Sequence, residues 1–254
     1  RVMALCEGDL IALCDQDDHW YPDKLTTLAD ALDSTAPMAF SAMHVIHDGA
    51  PRADIERYPS THATLRLAAD ELMVRNVVPG AAAMFKSSLL PMVLPFPDAG
   101  TWAFHDQWIA VVAAINGSIR YVDRPLYDYV QHDANAAGFS DRTRQLRDRR
   151  QRWQGRRIKG LLTDSATSYN GEIAWVESMA TALVERLPDR LGPKLGVRLS
   201  DLARLRGSVR AQTWLGRQAI SPARARQTLS AERRLIAALT IGRLANAWSD
   251  RTNG

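Results

Sequence analysis

An apolar run that ends in three closely spaced carboxylates limits the folds open to this 254-residue chain. The run LIALC occupies residues 10–14, and Asp15, Asp17 and Asp18 follow it directly. A short, nearly continuous apolar segment is typical of a buried strand in a parallel sheet. Open α/β sheets bind ligands at the carboxyl ends of such strands. The pattern therefore predicts a polar site at the end of a buried parallel strand, with Cys14 as an inert, buried thiol.

Strand-like and helix-like patterns alternate after this block, which favours an α/β fold. Pro22 and Asp23 open a helical pattern in which Leu25, Leu28 and Leu32 share one face. Periodicity and turn residues also predict strands at 38–46, 82–85 and 118–122, an extended segment at 125–130, and helices at 65–74 and 107–115.

Charge divides the chain into two unequal parts. Residues 1–140 carry 9 Lys/Arg and 18 Asp/Glu, a net charge of −9, whereas residues 141–254 carry 23 and 10, a net charge of +13. The two values sum to the +4 of the whole chain, and they exclude a uniformly basic nucleic-acid binder. We therefore predict an α/β domain at 1–140 and a basic, all-α region at 141–254, with helices at 166–187, 195–215 and 231–248.

The three carboxylates of the acidic block allow two interpretations. Asp15, Asp17 and Asp18 repel one another unless a cation lies among them, and hard oxygen ligands favour Mg²⁺ or Mn²⁺. Such a metal could bridge the phosphates of a nucleotide. The alternative is a solvated acidic turn before a helix, whose N-terminus attracts negative charge.

Two further polar features, one pair of residues and one single histidine, point to chemistry in the same part of the chain. His105 and Asp106 precede an apolar helix, so Asp106 could act as a general base held in its ionised form by the helix dipole, or simply cap the helix. His132 could bind a metal or a phosphate, or serve a structural role.

Three blocks in series resemble the family 2 glycosyltransferases, and most closely their bacterial rhamnosyltransferase-like branch. The blocks are GDLIALCDQDDHWYPDKL, NVVPGAAAMFKSSLL and HDQWIAVVAAINGSIRYVDRPLYDYVQHDANAAG, and they extend over roughly residues 7–138. The resemblance implies a GT-A fold, here a partial mixed sheet with flanking helices, and inverting transfer of a sugar from a nucleotide-diphosphate donor.

The resemblance also assigns roles to single residues. It makes Asp15 and Asp17 the DxD pair, with Asp17 or Asp18 at a Mg²⁺ or Mn²⁺ ion that holds the diphosphate, and it makes His132 a further metal or diphosphate ligand. Asp106 corresponds to the base that deprotonates the acceptor hydroxyl.

The sugar-binding side of the site is implied in the same way. The loop at Gly80 and Ala81 corresponds to the segment lining the sugar pocket, and Trp108 to an aromatic residue beside the base. His105 belongs with them to the donor site. Pro79 and Ala81 depart from the residues frequent in relatives, so the donor preference does not carry over.

The implied enzyme works in cell-surface polysaccharide synthesis. Its donor is a nucleotide-sugar, with dTDP-rhamnose as one candidate, and its acceptor is a glycan or a lipid-linked glycan. The expected location is the cytoplasm, with peripheral contact at the inner face of the plasma membrane.

The family normally begins with a strand, a helix and a strand that bind the nucleotide. Because the acidic block begins at residue 15, we expect about 70 to 90 residues of that half to be absent and donor binding to be weak. The alternative to an enzyme is a catalytically incompetent fragment whose basic helical half acts as a membrane-surface or interaction module.

The basic half itself allows three interpretations. It could be a helical appendage packed on the catalytic domain, or a nucleic-acid binder through residues 142–159, which we disfavour because no known module surrounds them. It could also be a membrane-surface helix. That helix would combine the apolar residues Leu235, Ile236, Leu239 and Trp248 with the flanking Arg233, Arg234, Arg243 and Arg251.

Overall fold

The computed structural model describes residues 2–47, 49–51, 57–58, 67–98, 104–131, 158–220 and 239, and of 57–58, 131, 158–170 and 219–220 it describes the backbone alone. Within these ranges the chain forms a mixed α/β structure around one sheet, in which strands follow the order β1-β6-β3-β7-β2 and β4 and β5 pair with β3. The strands are β1 (Leu10–Ala12), β2 (His19–Trp20), β3 (Met38–His47), β4 (Ala50–Pro51), β5 (Arg57–Tyr58), β6 (Ala83–Lys86) and β7 (Ile119–Gln131).

Helices cover both faces of this sheet. They are α1 (Lys24–Asp30), α2 (Ala69–Val74), α3 (Leu90–Val93), α4 (His105–Asn116), α5 (Ile158–Arg186), α6 (Pro193–Leu202) and α7 (Val209–Ile220). None of the helices in the described ranges is long and apolar enough to cross a membrane.

Strand β3 is the centre of the sheet. It pairs in parallel with β7 and antiparallel with β6. Successive side chains of a strand point to opposite faces. Accordingly, Phe40 belongs to the large core under the later helices, and Ala39 belongs to a smaller core under α1 together with Leu28.

The prediction for residues 10–14 was wrong in two respects. Strand β1 pairs antiparallel with β6 at one end of the described strand order, and the Leu10 side chain is 38% exposed. Cys14 is exposed rather than buried. The cause is position: at the sheet edge only alternate side chains meet the core, and of this strand Ile11 alone is buried.

The helix after the acidic block forms as expected, but its buried face differs. Leu28 is fully buried, whereas Leu25 is 47% exposed and Lys24 is only 1% exposed. Lys24 and Leu28 are four residues apart and therefore share one helix face. The sequence pattern had assigned that face to leucines alone.

Other predicted elements are present with changed bounds. The segments at 118–122 and 125–130 form one strand, β7, whose pairing with β3 shifts register near Ala42. The helix predicted at 195–215 is two helices, α6 and α7. Most of the helix predicted at 231–248, and all of the basic segment 142–157, lie outside the described residues.

The later helices share the core of the sheet. Trp175 and Met179 of α5, and Leu199 of α6, belong to the same buried cluster as Trp108 of α4 and Phe40 of β3. The predicted domain boundary at residue 140 falls outside the described residues, so it stays a prediction.

The turn that connects helix α4 to strand β7 lies very close to the backbone of Thr35 and to Pro37. A Cβ on Gly117, the residue after α4, would lie 2.5 Å from the carbonyl oxygen of Thr35 and 2.7 Å from Cδ of Pro37. The next amide, that of Ser118, donates a 2.7 Å hydrogen bond to the same Thr35 oxygen. Glycine is needed here for space, since its φ of 167° is extended backbone open to any residue.

Candidate functional site

The three sequence blocks meet at Gly80. A Cβ added to this glycine would lie 3.2 Å from Nε2 of His105, 3.4 Å from Cβ of Asp106 and 3.7 Å from Cδ1 of Leu13. Leu13 lies two residues before Asp15, the first residue of the acidic block, and α4 begins at His105. Residues far apart in the sequence thus form one small region, with β1 and β6 pairing beside it.

The pKa of Asp15 is shifted by burial and by the charges of other residues of the site. Burial raises the pKa of its carboxyl above the ordinary value, and the negative charges of Asp17 and Asp106 raise it further. His105 and Lys24 act in the opposite direction. The carboxylates of the first and third blocks are therefore electrostatic neighbours.

Asp18 is fixed to strand β7. Its Oδ1 accepts a 3.3 Å hydrogen bond from the backbone N–H of Val130, and its Oδ2 is buried with no hydrogen-bond partner among the described residues. Burial raises the pKa of Asp18 to about 6, against the lowering effect of the Val130 N–H, while Asp15 and Asp17 raise it further.

A buried lysine lies beside the carboxylates. Nζ of Lys24 donates a 2.6 Å hydrogen bond to the carbonyl oxygen of Ala81, and it lies 3.9 Å from the ring centroid of Trp20 and 4.1 Å from that of Tyr127. Burial lowers the pKa of Lys24 to about 8, while Asp18 acts to raise it. The site therefore contains its own cation, held between two aromatic faces.

Asp106 lies in the first turn of α4, where the helix dipole favours a negative charge. Its Oδ1 accepts a 2.8 Å hydrogen bond from the backbone N–H of Gln107. Asp106 is half-buried and His105 is exposed, so this end of the helix is open to solvent.

The remaining residues assigned by resemblance lie in different surroundings. Gly80 and Ala81 begin a short 3-10 turn, in which Gly80 is half-buried and Ala81 is buried. Trp108 is 0% exposed, and its Nε1 donates a 2.8 Å hydrogen bond to the carbonyl oxygen of Val93, so it packs in the core beneath the start of α4. His132 lies outside the described residues.

Few of the described side chains are placed to bind a divalent metal. No group of three or more His, Cys, Asp or Glu side chains suited to a metal occurs within the described ranges. Mg²⁺, however, is commonly held by one or two protein carboxylates together with substrate phosphates and water. The unpartnered Oδ2 of Asp18 supplies an oxygen ligand of that kind, and Asp17 adds its negative charge nearby.

Sequence reasoning missed two features next to this site. One is Lys24, whose signal was available: a lysine one turn before Leu28 on the buried helix face, six residues after Asp18. The other is a polar cluster of Tyr21, which follows β2, with His44 of β3 and Asp128 of β7. The Tyr21 hydroxyl lies 2.5 Å from Asp128 Oδ1 and 2.8 Å from His44 Nδ1. Burial and the Asp128 hydrogen bond raise the pKa of Tyr21 to about 12.

Solved structures include neighbours of this chain. The chain is similar to S. aureus TarS 1–349 in complex with UDP-GlcNAc, with a TM-score of 0.46 and 13% sequence identity. The similarity covers 93% of this chain and 57% of the TarS chain, so this chain spans little more than half of that neighbour. No protein-family model matches the sequence, and no curated protein does.

Proposed function

We propose that this protein is a glycosyltransferase that moves a sugar from a nucleotide-diphosphate donor to an acceptor hydroxyl with inversion. The observation that carries the proposal is the packing of Gly80 against His105 and Asp106, beside the strand that leads into the acidic block. It is supported by the order of the three sequence blocks, which resembles the family 2 glycosyltransferases.

In the proposed reaction Asp106 is the general base. Its carboxylate takes the proton of the acceptor hydroxyl, the hydroxyl oxygen forms a bond to the anomeric carbon, and the bond to the diphosphate breaks with its electron pair. Three features suit Asp106 to this role: the helix dipole, the Gln107 N–H that orients Oδ1, and a half-exposed position. Because Gly80 has no side chain, His105 and Asp106 can lie close to the turn that is proposed to line the sugar pocket.

The donor diphosphate is proposed to lie at the acidic block. Asp15, Asp17 and Asp18 would repel a bare diphosphate, so we infer that Mg²⁺ or Mn²⁺ accompanies it, bound by Asp17 and Asp18 with His132 as a further ligand. Such an ion neutralises charge on the leaving group when bound. Lys24 remains beside the carboxylates as a positive charge, held in place by its hydrogen bond to Ala81.

The deciding experiment is a donor screen. The natural protein is incubated with UDP-, GDP- and dTDP-sugars, including dTDP-rhamnose, and with glycan and lipid-linked acceptors. Each mixture is tested with Mg²⁺, with Mn²⁺ and with a chelator. We expect acceptor-dependent release of a nucleoside diphosphate that the chelator abolishes, and a product of inverted anomeric configuration by NMR. Absence of release with every donor would refute the proposal and favour the binding-module alternative.

Asp106→Asn is the matched variant for this screen. The amide keeps the shape of the carboxylate but cannot accept the proton, so transfer should be lost while donor binding, measured by calorimetry, is retained. Turnover by Asp106→Asn at the wild-type rate would overturn the assignment of the base.

The cellular setting is part of the proposal. We infer a cytoplasmic enzyme of cell-surface polysaccharide synthesis that contacts the inner face of the plasma membrane through its basic helices. On the described part of these helices Lys194, Arg210 and Arg217 are exposed, as is Arg204 in the turn between α6 and α7, which suits an anionic surface. Flotation with anionic and neutral vesicles tests this contact, and equal recovery with both would contradict it.

A further inference from the structure

A buried amide joins three helices next to Asp106. Gln107 is 6% exposed, and its Nε2 donates hydrogen bonds of 2.8 Å to the carbonyl oxygen of Leu72 and 3.0 Å to that of Met73. Its Oε1 accepts a 2.8 Å hydrogen bond from Nε1 of Trp175. Both amide donors and the amide acceptor are therefore used, by α2 on one side and by α5 on the other.

The chemistry of the partners fixes the orientation of this amide. An indole N–H can only donate, and a backbone carbonyl can only accept. A flipped amide would direct two N–H groups at Trp175 and an oxygen at the carbonyls of Leu72 and Met73, so all three bonds would be lost. Gln107 thus has a single satisfied arrangement.

The bonds also complete the end of a short helix. Helix α2 ends at Val74, and the last carbonyl groups of any helix lack partners within it. Two of these carbonyl groups belong to the buried residues Leu72 and Met73, and both accept a hydrogen bond from Gln107. Removing the amide would take one donor away from each of these carbonyls, and only that of Leu72 is shown to keep another, the 3.3 Å bond from the Arg75 N–H. A buried acceptor left without a donor destabilises the fold.

The backbone of the same residue orients the proposed base. The Gln107 N–H donates to Oδ1 of Asp106, so the side-chain network and the Asp106 carboxylate are held by one residue. Resting on the function proposed above, we propose that Gln107, anchored by Trp175, is a positioning residue that sets the orientation of the Asp106 carboxylate. The helical half of the chain thereby takes part in building the catalytic site through α5.

The test compares Trp175→Phe and Gln107→Met with Val176→Ala. Trp175→Phe removes the donated N–H and keeps an aromatic ring, whereas Val176→Ala makes a packing defect at the next buried position of α5 without touching the amide. If the network positions Asp106, Trp175→Phe and Gln107→Met should lower kcat roughly 10- to 100-fold with the donor KM unchanged, because small displacements of reacting groups are costly. Val176→Ala should retain wild-type kcat even where its Tm is lowered as much as that of the two network variants.

A second readout does not depend on turnover. NMR-detected hydrogen exchange at the amides of Gln107 and Trp108 reports on the bond to Asp106 and on the first turn of α4. Both should exchange faster in Trp175→Phe than in Val176→Ala. Equal exchange and equal kcat in these two variants would overturn the positioning role. If the wild-type protein transfers no sugar, the proposed function fails, while the exchange comparison still decides whether Trp175 holds the Asp106 turn.

Discussion

Nζ of Lys24 donates a 2.6 Å hydrogen bond to the carbonyl oxygen of Ala81, 57 residues further along the sequence. This bond connects the helix after the acidic block to the turn that contains Gly80. Because the lysine is 1% exposed and lies against two aromatic rings, it acts as an internal cation for the carboxylates rather than as a surface charge.

Lys24 should make the free energy of unfolding increase with pH in the alkaline range. Its pKa is about 8 in the folded protein and 10.5 as the ordinary value, so between these values the unfolded chain binds more protons than the folded one. Stability from this residue should therefore be lowest below pH 8 and increase as the pH rises to 10.5, by about 1–3 kcal/mol. The measurement is the difference in unfolding free energy between wild type and Lys24→Met, from urea unfolding at pH 7 to 10.5.

Lys86→Met is the matched control for that experiment. Lys86 also donates to a backbone carbonyl, that of Asp33 at 2.8 Å, but it does so at the exposed surface. The increase should be larger in the Lys24 comparison than in the Lys86 comparison. Equal curves for the two would contradict the buried-cation interpretation.

Asp18 should make the free energy of unfolding decrease as the pH rises in the acidic range. Its folded pKa of about 6 lies above the ordinary 3.8, so the folded protein holds the proton more tightly. The stability it contributes is fully present below pH 4 and is lost as the pH rises through 6. In metal-free buffer, the unfolding free energy of wild type minus that of Asp18→Asn should decrease between pH 4 and 6 and stay level above 7. A difference that does not change with pH would argue against a buried Asp18.

Gly80→Ala should separate activity from stability. The new Cβ would contact the exposed His105 side chain at 3.2 Å and Asp106 Cβ at 3.4 Å, so these side chains must move by a few tenths of an ångström. We expect a loss of stability below about 1 kcal/mol, together with a clear drop in transfer rate. Gly216→Ala in α7 is the control, because nothing lies within 4 Å of its Cβ and alanine should stabilise that helix by about 0.5–1 kcal/mol. Full activity in Gly80→Ala would remove Gly80 from the site.

Gly117→Ala should act on the fold alone. Its Cβ would meet backbone and a proline ring at 2.5 and 2.7 Å, and neither can turn aside as a flexible side chain can. We expect destabilisation of at least about 1–3 kcal/mol, measured by urea unfolding. Stability equal to wild type would mean that the contact with Thr35 is looser than described.

Much of the architecture follows from local patterns, and the errors share one cause. The strand at Met38–His47 and the helix that begins at His105 were predicted nearly to their ends, because both are long and strongly apolar. The LIALC run was assigned to the sheet interior, and Leu25 to a buried face, because apolar character does not report where an element lies relative to the sheet edge.

The part of the site that local sequence patterns indicate was predictable. A carboxylate after a strand and another at a helix start are signals in the local sequence, and Asp15 and Asp106 are electrostatic neighbours. The partners that hold them are not local signals. Lys24 meets Ala81, and Trp175 meets Gln107 over 68 positions, only once the chain is folded.

The hydrogen bond from Val130 to Asp18 spans 112 positions, and this separation has a consequence for synthesis. At about 5–20 residues per second, the acidic block leaves the ribosome roughly 6–20 seconds before the strand that binds it. During that interval the nascent chain carries several carboxylates without their β7 partner. Assembly of the site therefore cannot be completed until β7, the last strand within the described residues, has been made.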